Sequence, residues 1–404
     1  MAPAPTERVD TVVDVPIAIL GAGPAGLMLA HRLGRSGIAC VNIDLRTRAE
    51  IEGTHRAGIL EAGAARDLVD TGVSDRILRD GHEHGGTELR FGGRGHRIDF
   101  RELVGGSVWL YPQTDVFIDL ANARDRDGGT VHFGVTDPEV NGVETDRPTM
   151  RFTSADGVRH EVRATIVVGA DGSRSMCRSL IPEAGRTQFF REYPFAWFGI
   201  LAAAPKSAPE LVYAHSEHGF ALISQRTDAV QRMYFQCDPE EDTEAWSDDR
   251  IWETLQVRVA GDDGFSLVEG PVIEKTVLRF RSFVQQPMRW GSMVLAGDAA
   301  HTVPPTGARG LNLALHDVKV LAEVIPRALG KEGLDALDDY EPRALSRVWR
   351  AQNFSYWMTQ MLHTAPGASA FDLRRQLGEL DNVVSTRAGR TYLAEQYAGW
   401  PTES

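Results

Sequence analysis

The strongest constraint on how this chain folds lies near its N-terminus, where a short apolar run, Val15–Leu20, leads into Gly21-Ala22-Gly23-Pro24-Ala25-Gly26. Apolar residues then recur at helical spacing from Ala25 to Leu33, and a second apolar run from Ala39 to Ile43 closes on Asp44. Strand, tight turn, helix and strand in that order predict a parallel sheet with a right-handed crossover. Gly21, Gly23 and Gly26 let the chain turn sharply and bring the first N–H groups of a helix opening at Pro24-Ala25 against a pyrophosphate. Asp44 is placed to accept the hydroxyls of a ribose. A dinucleotide is the expected ligand of this end of the fold.

Further along, helical patterns are expected from Ile59 to Val69 and from Thr114 to Ala123, and a parallel-sheet strand at Ala164–Val168. Between Phe195 and Gln236 the texture changes. Leu211–Ala214, Phe220–Arg226 and Arg232–Gln236 are short alternating runs separated by turn residues, as in an antiparallel sheet. Met293–Ala296 returns to the buried-strand pattern, Gly310–Leu329 predicts a long helix ended by Gly330, and Asp335–Leu362 reads as helical and rich in aromatics. The fold class is therefore α/β: a Rossmann-like dinucleotide-binding domain with an inserted antiparallel-sheet substrate domain and C-terminal helices. Its expected parts are a loose tail (1–14), the discontinuous first domain (15–185 and 270–330), the inserted domain (186–269) and a helical region (331–404).

Composition excludes several classes. The 404 residues are 42% hydrophobic and 25% charged, ordinary for a globular protein, with no apolar stretch of membrane-spanning length. A net charge of −13 without a compact basic run argues against nucleic acid or an anionic membrane as partner. Cys40, Cys177 and Cys237 have no paired spacing, which fits a reducing compartment and neither a disulfide framework nor a metal knuckle. The first residues lack the pattern of a secretion leader, so a cytoplasmic protein without a structural metal is expected.

Two later segments separate a flavin from a bound nicotinamide. Gly297-Asp298-Ala299-Ala300-His301 follows a strand, and Pro304-Pro305-Thr306-Gly307-Ala308-Arg309-Gly310-Leu311-Asn312 leads into a helix whose N-terminus suits the flavin edge where negative charge develops on reduction. Asp298 would hold the ribityl chain, and Gly169-Ala170-Asp171-Gly172-Ser173, with Arg178 beyond, would lie beside the pyrophosphate. Gly21 to Gly26, then Gly169 to Ser173, then Gly297 to Asn312, in that order along the chain, resemble the class A flavoprotein aromatic hydroxylases. His55-Arg56-Ala57-Gly58-Ile59-Leu60-Glu61, Tyr111-Pro112-Gln113-Thr114, Tyr193-Pro194-Phe195-Ala196-Trp197, the run Gly219 to Arg226 and Ala394-Glu395-Gln396-Tyr397-Ala398-Gly399 narrow the resemblance to members acting on para-hydroxylated benzoates. It implies one FAD, NADH or NADPH as electron donor, O₂, a flavin C4a-hydroperoxide as oxygenating species, and a homodimer. The expected reaction is 4-hydroxybenzoate to 3,4-dihydroxybenzoate, with Arg56, Gln113, Gly310, Leu311 and Asn312 among the FAD contacts.

Ser224 and Arg226 occupy alternate positions on one expected strand, and Arg232 and Tyr234 on the next, so each pair shares a face. A guanidinium flanked by hydroxyls suits a carboxylate, although each residue taken singly also reads as part of a solvated charged face. The resemblance implies that Arg226, Ser224 and Tyr234 hold the substrate's carboxylate and that Arg232 sits near substrate and flavin. It also implies that Tyr213 and Tyr397 relay the phenol's proton, with His84 at the solvent end. Pro305 joins the catalytic set, and Ile59, Trp197, Leu211, Leu222, Pro305 and Thr306 line the ring. Arg46, Arg48, Arg174 and Arg178 are the candidate coenzyme contacts. Glu50 and Glu52 would repel a 2′-phosphate, and Thr54 and Arg174 stand where the family has arginine and histidine, so NADH is expected to serve at least as well as NADPH. Two competing readings are a hydroxylase of a substituted 4-hydroxybenzoate and a flavin-binding sensor of aromatics that does not oxygenate them.

Overall fold

The computed structural model describes residues 9–54 and 58–400. Ile17–Leu20, wholly buried, lies within a 6-stranded sheet, paired in parallel with Cys40–Asp44 on one side and Ile166–Gly169 on the other. Ile166–Gly169 pairs in turn with Met293–Leu295. Strands covered on both faces are continuous apolar runs, which is why pattern alone locates them. The helix Pro24–Arg35 packs on Gln113–Arg126 and on Gly310–Leu329. A Cβ at Gly26 would come 2.0 Å from the Gly21 carbonyl oxygen, so only glycine lets this helix approach its own turn so closely.

The second sheet has 8 strands, in the order His301–Thr302, Val272–Gln286, Thr187–Ala202, Val230–Cys237, Gly219–Thr227, Leu211–Ser216, Gly86–Phe91 and Arg94–Asp99. Its register decides which residues look the same way. Gly199 faces Tyr234, Tyr234 faces Leu222, and Leu222 faces Tyr213. With a period of two, one face carries Trp197, Leu211, Tyr213, Leu222, Ser224, Arg232 and Tyr234. The other carries Phe198, Ile200, Val212, Ile223, Met233 and Phe235, and buries them under the helix Asp248–Val259. The first face packs its aromatics against Phe354, Met358 and Leu362 of the helix Tyr340–Leu362 and against Leu393 and Tyr397 of Arg387–Ala398.

The structure departs from the sequence expectations at four places. Thr11–Asp14 is not loose tail but an edge strand, paired in parallel with Arg159–Arg163. Ile59–Glu61 is a strand against Val108–Leu110, and the helix begins only at Ala62; pairing with a strand distant in sequence overrides the local period there. The antiparallel sheet is not confined to 186–269, because it recruits Gly86–Phe91 and Arg94–Asp99 from before that segment and Val272–Gln286 from after it. Leu334–Asp339 is a tight 3₁₀ turn preceding the long helix. No helix among the described residues is long and apolar enough to cross a membrane.

Candidate active site

Two helices, Pro24–Arg35 and Gly310–Leu329, start without a side-chain cap and without an acidic residue in the first turn. A Cβ at Gly23 or Gly310 would meet nothing within 4 Å, so both starts present bare backbone to open space. Unbonded N–H groups at a helix start call for an electron-rich partner, and the phosphates and the pyrimidine edge of FAD meet that need. Asp44 Oδ2 accepts the Ala22 N–H and Oδ1 the Arg46 N–H, each at 3.0 Å, which fixes the carboxylate beside the glycine turn with a lone pair to spare on each oxygen. The residues present thus fit an FAD.

Other expected cofactor contacts prove to be braces. Asp171 accepts Ser175 Oγ–H at 2.6 Å and the N–H groups of Met176 and Cys177 at 2.7 and 3.1 Å, so its carboxylate is spent on its own turn. Arg178 donates to the carbonyls of Ala299 and Ser173 and lies over the Phe283 ring, tying the Asp171 and Asp298 segments together. Asn312 accepts the Glu61 N–H and donates to the carbonyls of Ile59 and Ala308, holding the strand Ile59–Glu61 to the helix start. Gln113 and Leu311 stand in the first turns of their helices, and Asp298 is half-buried in a 3₁₀ turn. Arg56 lies outside the described residues.

The hydroxyls of Tyr213 and Tyr397 meet at 2.6 Å, and Tyr213 Oη also lies 3.3 Å from the Thr306 carbonyl oxygen. Burial raises both phenols, Tyr213 well above its usual range and Tyr397 to about 12, with the nearby Arg309 charge acting in the opposite direction. Neither hydroxyl stores a charge near neutrality, so the pair can conduct a proton, each member accepting as it donates. His84 does not fit the solvent end of such a relay. It is 3% exposed on the strand His82–His84, both ring nitrogens lack a partner among the described residues, and burial pushes the imidazole down to about 4. Pairing of that strand with Val108–Leu110 turns the ring inward.

At the other end of the sheet face, Arg232 Nε donates to Tyr234 Oη at 2.5 Å, leaving the phenolic O–H free to donate to a ligand. Ser224 Oγ–H goes to the Arg232 carbonyl at 2.7 Å, so contrary to expectation only Tyr234 stands ready as a hydroxyl donor. Arg226 makes no ion pair among the described residues, and burial together with the like charge of Arg232 lowers its pKa. A half-buried guanidinium beside a second one calls for an anion. Arg226 sits at a bulge, between Gln225 facing Gln231 and Thr227 facing Val230. About 14 Å of strand separates it from Leu222, the partner of Tyr213, at ~3.4 Å per residue. Trp197, Leu211 and Leu222 line the same face, buried, and Ile59, Pro305 and Thr306 are half-buried or buried on the neighbouring segments.

Among the candidate coenzyme contacts, Arg48 is committed to Glu52 and Asp125 at 2.7 Å each, and Arg178 is the brace described above. Arg46 and Arg174 are exposed. Sequence reasoning missed three features. Glu61 accepts from both Arg309, 2% exposed, and Arg347, and Arg309 stacks over the rings of Phe354 and Trp400. Asn42 donates to the carbonyls of Gly26 and Gly21, pinning the glycine turn. His301 and Asp317 form a buried pair at 2.7 Å. Glu61 and Arg309 sit inside motifs that are recognisable in the sequence, but no spacing shows that they meet.

Comparison with known proteins agrees with this geometry. A family model described as an FAD binding domain matches residues 14–355. The p-hydroxybenzoate hydroxylase of Acinetobacter baylyi is 39% identical over 388 residues, 96% of each chain. The 6-methylpretetramide 4-monooxygenase of Streptomyces rimosus is 29% identical over 88% of this chain and 86% of its own. In fold, the crystal structure of p-nitrophenol 4-monooxygenase from Pseudomonas putida superposes with a TM-score of 0.81 at 20% identity, covering 97% of this chain and all of the other. The chain belongs to the FAD-binding flavoprotein aromatic hydroxylases, enzymes that combine FAD, NAD(P)H and O₂.

Proposed function

We propose that the chain hydroxylates 4-hydroxybenzoate to 3,4-dihydroxybenzoate. One observation carries this reading: a half-buried Arg226, without an ion pair among the described residues, lies near Arg232 and Tyr234 on the strand next to that of Tyr213, which is hydrogen-bonded to Tyr397, so one ring can meet a cation at its acid end and a proton conductor at its phenol end. The 39% identical relative named p-hydroxybenzoate hydroxylase supports it.

In this reading Arg226 and the Tyr234 O–H bind the carboxylate. Tyr213 Oη accepts the substrate's phenolic proton while its own passes to Tyr397 Oη, and Tyr397 releases its own proton to bulk water, so both tyrosines end neutral. A free phenol titrates near pH ~10, and lowering that by ~2 units needs about 2.7 kcal/mol in favour of the anion. A hydrogen bond to the phenolate contributes roughly 1.5–3 kcal/mol, and the buried Arg309 charge adds to it. Bound FAD, reduced by NAD(P)H, supplies the activated oxygen. Trp197, Leu211 and Leu222 keep water from the reacting ring.

A second copy of the chain would cover the exposed aromatic side chains of Phe189, Trp349 and Tyr356, giving a homodimer. The three free thiols suit the reducing cytoplasm. Purified protein carrying FAD should oxidise NADH or NADPH when 4-hydroxybenzoate is added and yield 3,4-dihydroxybenzoate; coenzyme oxidation without a hydroxylated product rejects the proposal.

A further inference from the structure

We infer that His363 and Thr359, at the C-terminal end of the helix Tyr340–Leu362, are positioning residues that set the width of the aromatic pocket and so decide which rings enter it. The inference rests on the pocket assigned above. His363 Nδ1 lies 3.0 Å from the Thr359 carbonyl oxygen, which only accepts, so Nδ1 carries the proton and Nε2 keeps a lone pair. That lone pair faces Trp197 Nε1, a donor only, at 2.7 Å. The tautomer and the orientation of the indole therefore fix each other.

The imidazole is itself held. It stacks on Phe195 at 4.7 Å and meets the tilted ring of Phe220 at 4.2 Å, and Gln376 Nε2 donates to the His363 carbonyl at 2.7 Å. Burial pushes it down to about 3, so the acceptor persists across the working pH range. One turn earlier, Thr359 Oγ1 lies 2.7 Å from the Ser355 carbonyl oxygen and 2.9 Å from Thr306 Oγ1. Giving its proton to Ser355 leaves it to accept the Thr306 hydroxyl. Thr306 in turn presents its carbonyl to Tyr213. One helix end thus pins both walls: Trp197, whose ring lies 4.7 Å from that of Tyr234, and the Thr306 turn beside the tyrosine pair.

The test uses the FAD-loaded, ¹⁵N-labelled protein. The Trp197 indole resonance, assigned by its loss in Trp197→Phe, should be shifted strongly downfield in the wild type and should move upfield in His363→Leu. With 4-hydroxybenzoate, His363→Leu should raise KM about tenfold, the worth of one buried hydrogen bond, while kcat changes less than roughly threefold. The kcat/KM ratio of 6-hydroxy-2-naphthoate to 4-hydroxybenzoate should rise by a similar factor. His363→Gln, which keeps an acceptor near the Nε2 position, should restore the resonance and KM. Thr359→Val, a milder change, should shift the same selectivity ratio if the leucine variant does not fold. An indole resonance indifferent to His363→Leu, or no rescue by glutamine, overturns the inference. An unchanged selectivity ratio in both variants also overturns it, whereas wild-type protein that ignores every para-hydroxybenzoate but keeps the His363-dependent resonance would instead sink the substrate assignment.

Discussion

Tyr213→Phe removes one oxygen from the centre of the proposed relay and leaves the ring in place. Tyr213 is 1% exposed, and its hydroxyl touches only Tyr397 Oη and the Thr306 carbonyl among the described residues, so the lesion is confined to proton transfer and phenolate stabilisation. A hydrogen bond to a charged oxygen contributes roughly 1.5–3 kcal/mol, so losing it should raise the pKa of the bound phenol by about 1–2 units. At a pH near the wild-type midpoint, the phenolate fraction then falls by roughly five- to fiftyfold. The assay is the near-ultraviolet absorbance of bound 4-hydroxybenzoate titrated against pH, with hydroxylation measured across the same range. The carboxylate grip should be spared, so Kd should change little while hydroxylation becomes dependent on higher pH. An unchanged phenol pKa together with an unchanged pH profile would refute the relay.

Three further outcomes follow from the same geometry. Arg226→Met should weaken 4-hydroxybenzoate binding at least a hundredfold, the scale of losing a charge-assisted pair of about 3 kcal/mol, by flavin fluorescence titration; near-native affinity would show the acid is held elsewhere. His84 and His363 are buried neutral, with pKa values of about 4 and 3, below the ~6.5 of an unfolded histidine. Their contribution is intact above ~6.5 and is lost as pH falls toward the folded values, at about 1.4 kcal/mol per unit for each. At about pH 5 each should cost ~2 kcal/mol, so urea midpoints should hold above pH ~6.5 and fall steeply below it, and His363→Gln should recover about half of that loss. An equal loss in the variant argues against a neutral native imidazole. With Arg48 neutralised by Glu52 and Asp125, NADH should serve at least as well as NADPH, and a strong NADPH preference in kcat/KM would contradict this.

The parallel sheet and the glycine turn were legible because buried strands and helix starts leave local signatures, as at Ile17–Leu20 and Pro24–Arg35. The face shared by Tyr213, Leu222 and Tyr234 was legible for the same reason: a period of two sorts side chains before the partners are known. Contacts that join distant segments were not. Nothing local pairs Glu61 with Arg309, or shows that His363 accepts from Trp197. His84 was expected at the solvent end of the relay, but pairing with Val108–Leu110 turns it inward. Asp171 and Arg178 occupy cofactor-like motifs, yet their bonding capacity goes to neighbouring backbone, which only coordinates reveal.

The central claim is that one small ring is gripped by its acid at Arg226 while its phenol reaches Tyr213. Titrating the FAD-loaded protein with 4-hydroxybenzoate and with its neutral isostere 4-hydroxybenzamide tests it most directly. The account predicts that the amide binds at least about a hundredfold more weakly, since it leaves a half-buried guanidinium without its anion. Comparable affinities for the two would contradict it.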